Sequence, residues 1–134
     1  MPLKHVLYVD DEADIRTVVK MALEVLGGFT VTLCESGAAA LMVMPTVQPD
    51  LILLDVMMPG MDGPMLLAQL QALPSGLPAP VIFLTAKAMP EEVAQLKALG
   101  AIAVLAKPFD PMTLADQLRE HWRQYRQGGA QSSD

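Results

Sequence analysis

Leu51-Ile52-Leu53-Leu54-Asp55 is a run of four large apolar residues that ends in an acid, and Val56-Met57-Met58-Pro59-Gly60 follows it directly. Such a run is typical of a strand buried on both faces, as in a parallel sheet, and Pro59-Gly60 ends it. In open α/β sheets the ligand crevice lies beyond the carboxyl ends of the strands. Asp55 is therefore predicted to lie where chemistry takes place.

Four further segments have the same apolar, strand-like character, and a helical stretch follows each one. They are residues 6–9, 29–34, 81–84 and 101–106. Strands that alternate with helices are typical of parallel sheets with right-handed crossovers, in which helices cover both faces. The sequence predicts an α/β domain with a doubly wound, five-stranded parallel sheet of order 2-1-3-4-5, whose crevice lies between strands 1 and 3.

The helices are predicted from apolar residues spaced three and four apart. Ser36 is a plausible cap for the second helix, which Pro45 is expected to close. The first helix should bury a stripe made of Ile15, Val18, Val19, Ala22, Leu23 and Leu26. By composition, residues 1–126 form one domain and residues 127–134 a flexible tail or linker.

Composition excludes several classes of function. A net charge of −6 and a pI near 4.7 argue against direct nucleic-acid binding, which needs clustered Lys and Arg. Cys34 is the single cysteine, so the sequence offers neither a disulfide framework nor a cysteine metal site. Without a signal-peptide pattern or an apolar stretch long enough to span a bilayer, the chain is expected to be cytoplasmic and not membrane-bound.

Four of the predicted strands end in residues that suit phosphoryl chemistry: Asp10 and Asp11 after strand 1, Asp55, Thr85 and Lys107. Each has an ordinary interpretation, as a solvated helix start, a cap or a surface charge. Together, however, converging carboxylates repel one another unless a cation lies among them, and oxygen-only ligands suit Mg²⁺. Lysine and threonine donors on the same rim suit phosphoryl oxygens, so phosphoryl transfer to Asp55 is predicted.

On these residues the chain resembles a response-regulator receiver domain of two-component signalling. The resemblance spans about residues 3–126 and is carried by Val9-Asp10-Asp11-Glu12, Leu54 to Gly63, Leu84-Thr85-Ala86 and Lys107-Pro108-Phe109. It implies a flavodoxin-like, chemotaxis-regulator-like single domain that acts as a phosphorylation-dependent switch. It also implies a cis peptide bond between Lys107 and Pro108.

The resemblance further implies that Asp55 accepts a phosphoryl group from a sensor histidine kinase or a histidine phosphotransfer protein. Asp10, Asp11, Asp55 and the backbone carbonyl of Met57 would position Mg²⁺, while Thr85 and Lys107 contact the phosphoryl group. The domain would catalyse its own phosphorylation and dephosphorylation, with no turnover of outside substrates. Its downstream protein target is not specified by the sequence.

One position departs from the family pattern. Val104 stands where an aromatic residue commonly swings inward after phosphorylation, so transmission to the surface of the fourth helix, fifth strand and fifth helix is expected to be smaller or different. Met89 and Ile102 add apolar character to the same region. Two interpretations are open here: packing against the helices, or a docking patch that includes a possible homodimer contact.

Other functions are weighed against the switch. A phosphatase with a nucleophilic aspartate needs an acid two residues later, where this chain has Met57. A flavin module of this architecture would not place Asp10-Asp11-Glu12 beside a phosphate. A phosphorylation-independent interaction module of the same fold and the receiver portion of a hybrid histidine kinase stay open as alternatives.

Overall fold

The predicted strands form one parallel sheet in the computed structural model, which describes residues 2–132 and the side chains of residues 2–128. The strands are β1 His5–Val9, β2 Thr30–Cys34, β3 Leu51–Asp55, β4 Val81–Thr85 and β5 Ala103–Ala106. Their order is β2-β1-β3-β4-β5, and every neighbouring pair is parallel. This confirms the predicted fold class and strand order.

Helices cover both faces of this sheet. The helices are α1 Ala13–Met21, which continues as a π-helical turn over Ala22–Leu26, then α2 Gly37–Val47, α3 Gly63–Gln71, α4 Pro90–Ala98 and α5 Leu114–Ser132. Helices α1 and α5 pack on one face, and α2, α3 and α4 pack on the other. Within the described residues, no helix has the length and apolarity that crossing a bilayer requires.

The core consists of two apolar layers that meet at β3, all of whose residues are buried. Alternate side chains point to opposite faces, so Leu51 and Leu53 join the layer beneath α1 and α5, while Ile52 and Leu54 join the other. Burying each such side chain contributes about 1.5–3 kcal/mol. The central strand therefore holds Asp55 at its end with very little freedom.

Side chains cap the starts of α2 and α3, whereas α1 and α4 begin without a side-chain cap. The Ser36 hydroxyl accepts a hydrogen bond from the Ala39 N–H at 3.1 Å, as predicted for α2. Asp62 caps α3 in the same way, accepting from the Met65 N–H at 2.8 Å. At the start of α4, Met89 provides no side-chain cap. Helix α4 thus begins with weaker local support than α2 and α3.

The structure corrects three details of the predicted elements. Leu26 is exposed instead of buried, because the π-helical turn rotates the end of α1 and the Phe29 N–H donates to the Leu23 carbonyl at 3.0 Å. Helix α2 continues past Pro45, since a proline in the last turn removes only one intrahelical bond. Strand β5 begins at Ala103, two residues later than predicted.

The end of the chain and the single cysteine complete this picture. Helix α5 continues to Ser132, so the first part of the predicted tail 127–134 is helical, and residues 133–134 lie outside the described residues. The flexibility of this segment stays a prediction. Cys34 is buried at the end of β2, and burial raises the pKa of its thiol to about 11.

Candidate functional site

The polar residues predicted for the site lie at one edge of the sheet, beyond the carboxyl ends of its strands. Asp10 follows β1, Asp55 and Thr85 end β3 and β4, and Lys107 follows β5. The register pairs Val9 with Leu54, Asp55 with Leu84, and Thr85 with Ala106, which sets these ends side by side. The crevice therefore lies where the strand order predicts it.

Lys107 joins two of the carboxylates. Its Nζ donates to Asp55 Oδ1 at 2.9 Å and to Asp10 Oδ2 at 3.2 Å. These residues are 52 and 97 positions apart in the chain, so only the fold brings them together. Both aspartates are buried, with exposed fractions of 0% for Asp10 and 3% for Asp55. The two buried carboxylates thus share one ammonium group, so their negative charges are not fully balanced.

Asp10 is held from several sides. Its Oδ1 accepts the Glu12 N–H at 2.9 Å, and its Oδ2 also accepts the hydroxyl proton of Tyr8. The Arg16 guanidinium donates to the Asp10 carbonyl at 2.8 Å. Sequence reasoning missed the hydrogen bond from Tyr8 to Asp10, although two features of the sequence indicate it. Tyr8 and Asp10 lie two residues apart on one strand face, and a buried tyrosine hydroxyl needs a partner.

The electrostatics of this cluster follow from burial and from its charges. Burial raises the pKa of Asp55 above its usual range, and the charge of Asp10 adds to this, while the hydrogen bond from Lys107 opposes it. Burial lowers the pKa of Lys107, but its bond to Asp55 and the charge of Asp10 raise it by more. Burial and the bond to Asp10 raise the pKa of Tyr8, so its hydroxyl is a donor at neutral pH.

Asp11 completes a group of oxygen ligands that suits a metal ion. One carboxylate oxygen from each of Asp10, Asp11 and Asp55 lies within 4.8 Å of the others, and Asp11 is exposed. Mg²⁺ favours a few carboxylates together with water molecules. The donor set and the open side at Asp11 therefore fit a hydrated divalent cation.

Thr85 forms the next part of the rim. Its hydroxyl oxygen accepts the Lys87 N–H at 3.0 Å, which leaves the hydroxyl proton available for donation. Its carbonyl accepts the Lys107 N–H at 2.8 Å, so the ends of β4 and β5 are tied together. The bond between Lys107 and Pro108 is cis, as the family resemblance implies.

The side of the site toward α4 is less filled. A cavity of about 190 Å³ is lined by Val56, Met57, Thr85, Lys87, Glu92, Gln95 and Leu96. The Met57 side chain is 71% exposed, whereas Met58 is buried. Val104 is partly buried against the layer beneath α4. The structure thus keeps open space beside Thr85, on the side of α4.

A second, apolar groove of about 350 Å³ lies beside Lys107. It is lined by Ile15, Val18, Ala86, Lys107, Pro108, Phe109 and Pro111. Because Lys107 lines this groove and also donates to Asp10 and Asp55, the groove borders the carboxylate cluster. It provides an apolar surface at the rim of the crevice.

Comparison with curated proteins gives similar transcriptional regulators. The chain is 36% identical over 125 residues to the transcriptional regulatory protein CseB of Streptomyces coelicolor, covering 93% of this chain and 52% of CseB. It is 36% identical over 129 residues to the phosphate regulon transcriptional regulatory protein PhoB of Pseudomonas aeruginosa, covering 96% of this chain and 56% of PhoB. The chain thus spans about half the length of these relatives.

Solved structures give matches that cover whole domains. The chemotaxis protein CheY4 of Vibrio cholerae is 34% identical, with a TM-score of 0.80 over 88% of this chain and 98% of CheY4. The receiver domain of a signal transduction histidine kinase from Syntrophus aciditrophicus is 30% identical, with a TM-score of 0.77 over 90% of this chain and 91% of that domain. Because the family model of the response regulator receiver domain matches residues 6–119, this chain belongs to the response regulator receiver domain family of two-component systems.

Proposed function

We propose that this domain is a cytoplasmic, phosphorylation-dependent switch in which Asp55 accepts a phosphoryl group. The donor is a phosphohistidine on a sensor histidine kinase or a phosphotransfer protein. The observation that carries the proposal is the bridge from Lys107 to both Asp55 and Asp10, with Asp11 close by. This arrangement joins a nucleophile, a cation site and a positive donor at one edge of the sheet.

The transfer exchanges one bond to phosphorus for another. An oxygen of Asp55 attacks phosphorus, the bond from phosphorus to the histidine nitrogen breaks, and the nitrogen keeps the electron pair and takes up a proton from water. Lys107 and the Thr85 hydroxyl would donate to the phosphoryl oxygens. Asp10, Asp11, Asp55 and the Met57 carbonyl would hold Mg²⁺. When bound, this cation supplies positive charge that neutralises the negative charge of the phosphoryl group.

The apolar groove beside Lys107 supports docking of the donor protein. Its lining comes from α1, from Ala86 after β4, and from the segment after β5 that begins at Lys107. Exposed apolar surface next to a reacting group is typical of a partner site. A helical surface of the kinase that covers this groove would bring its phosphohistidine to Asp55.

Intact-mass spectrometry after incubation with Mg²⁺ and a small phosphoryl donor tests the proposal. The wild-type chain should gain one hydroxylamine-labile phosphoryl group, and Asp55→Asn should gain none. Asp116→Asn is the matched control, because Asp116 is an exposed aspartate on α5. Absence of an adduct from both a small donor and a panel of histidine kinases would refute the proposal and leave the interaction module.

The output would pass through the surface formed by α4, β5 and α5. The cavity beside Thr85 and the small side chain of Val104 favour a limited response at this surface. Hydrogen exchange of α4, with and without phosphoryl donor, should therefore change less in the wild-type chain than in Val104→Tyr. An equal change in both proteins would show that residue 104 does not govern transmission.

A homodimer contact at this surface is a second part of the proposal. Met89 is 63% exposed at the start of α4, and Ile102 is only partly buried before β5. If these residues form a contact between two copies, Ile102→Lys should make the phosphorylated protein monomeric in sedimentation experiments. An unchanged oligomeric state and unchanged kinase binding would remove the patch from the proposal.

The last part of the proposal is whether this domain acts alone or within a longer chain. Since this chain spans about half of CseB and PhoB, its output is compatible with a free-standing regulator or with one module of a longer chain. The similarity to the receiver domain of a histidine kinase supports a hybrid kinase as the alternative. Phosphotransfer from each histidine kinase of the host would distinguish these cases through the preferred donor.

A further inference from the structure

Tyr8 is a buried polar residue that the proposed function does not use. It lies in β1 among aliphatic neighbours and has an exposed fraction of 0%. Its ring packs in the layer beneath α1 and α5, and its hydroxyl donates to Asp10 Oδ2. A tyrosine in such a position needs a partner for its hydroxyl. Here that partner belongs to the carboxylate cluster.

The hydrogen bonds of Asp10 show what the Tyr8 hydroxyl adds. Oδ1 accepts the Glu12 N–H, while Oδ2 accepts both the Tyr8 hydroxyl and the Lys107 ammonium group. A carboxylate offers about four acceptor positions, so these three donors fix the orientation of the group. One position is left for a ligand, and one oxygen of Asp10 lies within 4.8 Å of oxygens of Asp11 and Asp55.

In the proposed function, Lys107 donates hydrogen bonds to two different sets of acceptors in turn. Before transfer it donates to Asp10 and Asp55, and after transfer it would donate to phosphoryl oxygens. An ammonium group that turns toward the phosphoryl group weakens its bond to Asp10 Oδ2. A buried carboxylate oxygen without a donor is costly, and this cost would oppose the movement of Lys107.

We propose that Tyr8 is a positioning residue, whose hydroxyl holds Asp10 in place so that Lys107 can exchange Asp10 for a phosphoryl oxygen. The inference rests on the proposed function for the role of Lys107. Tyr8 itself touches neither phosphorus nor metal. It acts through Asp10, keeping one donor on Oδ2 throughout the transfer and keeping the free acceptor position turned toward the cation site.

Tyr8→Phe is the direct test, because it removes only the hydroxyl and keeps the ring. Calorimetric titration with Mg²⁺ should give a dissociation constant about tenfold higher than that of the wild-type protein, a loss typical of outer groups that orient a ligand. Thr32→Val is the control, since it removes a strand hydroxyl that is bonded to His5 instead of Asp10. Equal Mg²⁺ affinity in Tyr8→Phe and wild type would overturn the positioning role.

Phosphorylation at saturating Mg²⁺ separates positioning from metal affinity alone. If the hydroxyl supports the movement of Lys107, Tyr8→Phe should remain about tenfold slower than wild type even when the cation site is full. A rate restored to the wild-type value by excess Mg²⁺ would remove the part of the proposal that concerns Lys107. Failure of the wild-type chain itself to form an adduct would instead refute the proposed function.

A double-variant cycle tests the same hydroxyl without phosphoryl donor or metal. In Lys107→Met, the Tyr8 hydroxyl is the remaining side-chain donor to Asp10 Oδ2. Adding Tyr8→Phe in that background should raise the unfolding constant in urea about tenfold more than it does in the wild-type background. Equal effects in both backgrounds would show that Tyr8 does not substitute for Lys107.

A wild-type measurement covers the case in which Tyr8→Phe folds poorly. The chain has two tyrosines, Tyr8 and Tyr125, and Tyr125 is 42% exposed on α5. With ¹³C-labelled tyrosine, the ring resonance of Tyr8 should shift on addition of Mg²⁺ and again on addition of phosphoryl donor, while that of Tyr125 stays in place. An unmoved Tyr8 resonance in the phosphorylated protein would overturn the inference.

Discussion

The centre of the sheet and its β5 edge both consist mainly of apolar residues but differ in packing. Every residue of β3 is buried, whereas in β5 buried residues alternate with half-buried and exposed ones. The carboxylate cluster stands on the central strands, and the cavity beside Thr85 opens toward α4. The groups proposed for chemistry are thus held rigidly, while the surface proposed for output has room to change.

The largest expected effect tests the packing difference with one residue type. Ile52→Ala, in the middle of β3, should lower the free energy of unfolding by about 3–4 kcal/mol, because it leaves a cavity in a filled layer. Ile102→Ala, beside β5, should cost only about 1 kcal/mol, since Ile102 is partly exposed and its surroundings can relax. Urea unfolding of both variants measures the difference, and similar losses would contradict it.

A slightly smaller effect is expected at Gly63, the first residue of α3. A Cβ there would lie 2.5 Å from the Asp55 carbonyl oxygen and 3.0 Å from the Val56 Cα, both backbone atoms of the central turn. Gly63→Ala should therefore cost about 2 kcal/mol. Gly128→Ala in α5 is the matched control, because nothing lies near its Cβ, and it should not destabilise the fold. Thermal unfolding that ranks these variants otherwise would show that the turn yields easily.

The next prediction concerns the buried charge at the centre. Burial, aided by Asp10, raises the pKa of Asp55 in the folded state. The folded protein therefore binds the Asp55 proton more tightly than the unfolded chain does. The stability that this proton contributes is complete below pH 3.8 and is lost as the pH rises through the folded pKa. Asp55→Asn should accordingly unfold at a higher temperature than wild type at pH 7.

The pH dependence supplies the control for this prediction. The gain of Asp55→Asn over wild type should shrink below the folded pKa of Asp55 and vanish near pH 3, where Asp55 is neutral in both states. Asp116→Asn, an exposed position, should show no comparable gain at pH 7. A gain that is the same at both pH values would mean that charge is not its cause.

The smallest effect is expected at the start of α4, which has no side-chain cap. Met89 is the N-cap residue of α4, and its side chain makes no capping hydrogen bond. Because Glu92 lies three positions later, Met89→Ser would create a capping box. The variant should gain about 0.5–1 kcal/mol and slow hydrogen exchange at the start of α4. Ser36→Ala removes the existing cap of α2 and should lose about 1 kcal/mol. No gain at Met89 would indicate that α4 is limited by packing instead of by its cap.

Most of the fold could be predicted from the sequence because its signals are local. Continuous apolar strands, the prolines that open α3 and α4, and the Ser36 cap each fix an element within a few residues. The placement of Asp10, Asp55, Thr85 and Lys107 at one edge follows from the strand order alone. The predicted geometry of the cluster therefore holds, while the roles of its residues stay predictions.

The remaining features depend on contacts between distant segments, which periodicity does not encode. The π-helical turn that exposes Leu26 goes with Gly27, whose position leaves no room for a Cβ beside Ala115 of α5. The continuation of α2 through Pro45 is instead a local feature, because the helix reaches its C-cap only three residues later, at Gln48 with a φ of 50°. Tyr8 is different, because the strand alternation placed it beside Asp10 and only its hydroxyl bond was overlooked.

Burial of Cys34 has a practical consequence for following this molecule in solution. Its thiol lies 4% exposed at the end of β2, with a pKa of about 11, so little reactive thiolate is present at neutral pH. Alkylating reagents should modify it only as fast as the sheet opens. The rate of Cys34 alkylation in the native protein therefore measures the rate of transient unfolding. A second cysteine engineered on the surface of α4 would then accept a fluorophore selectively, with Cys34 left in place.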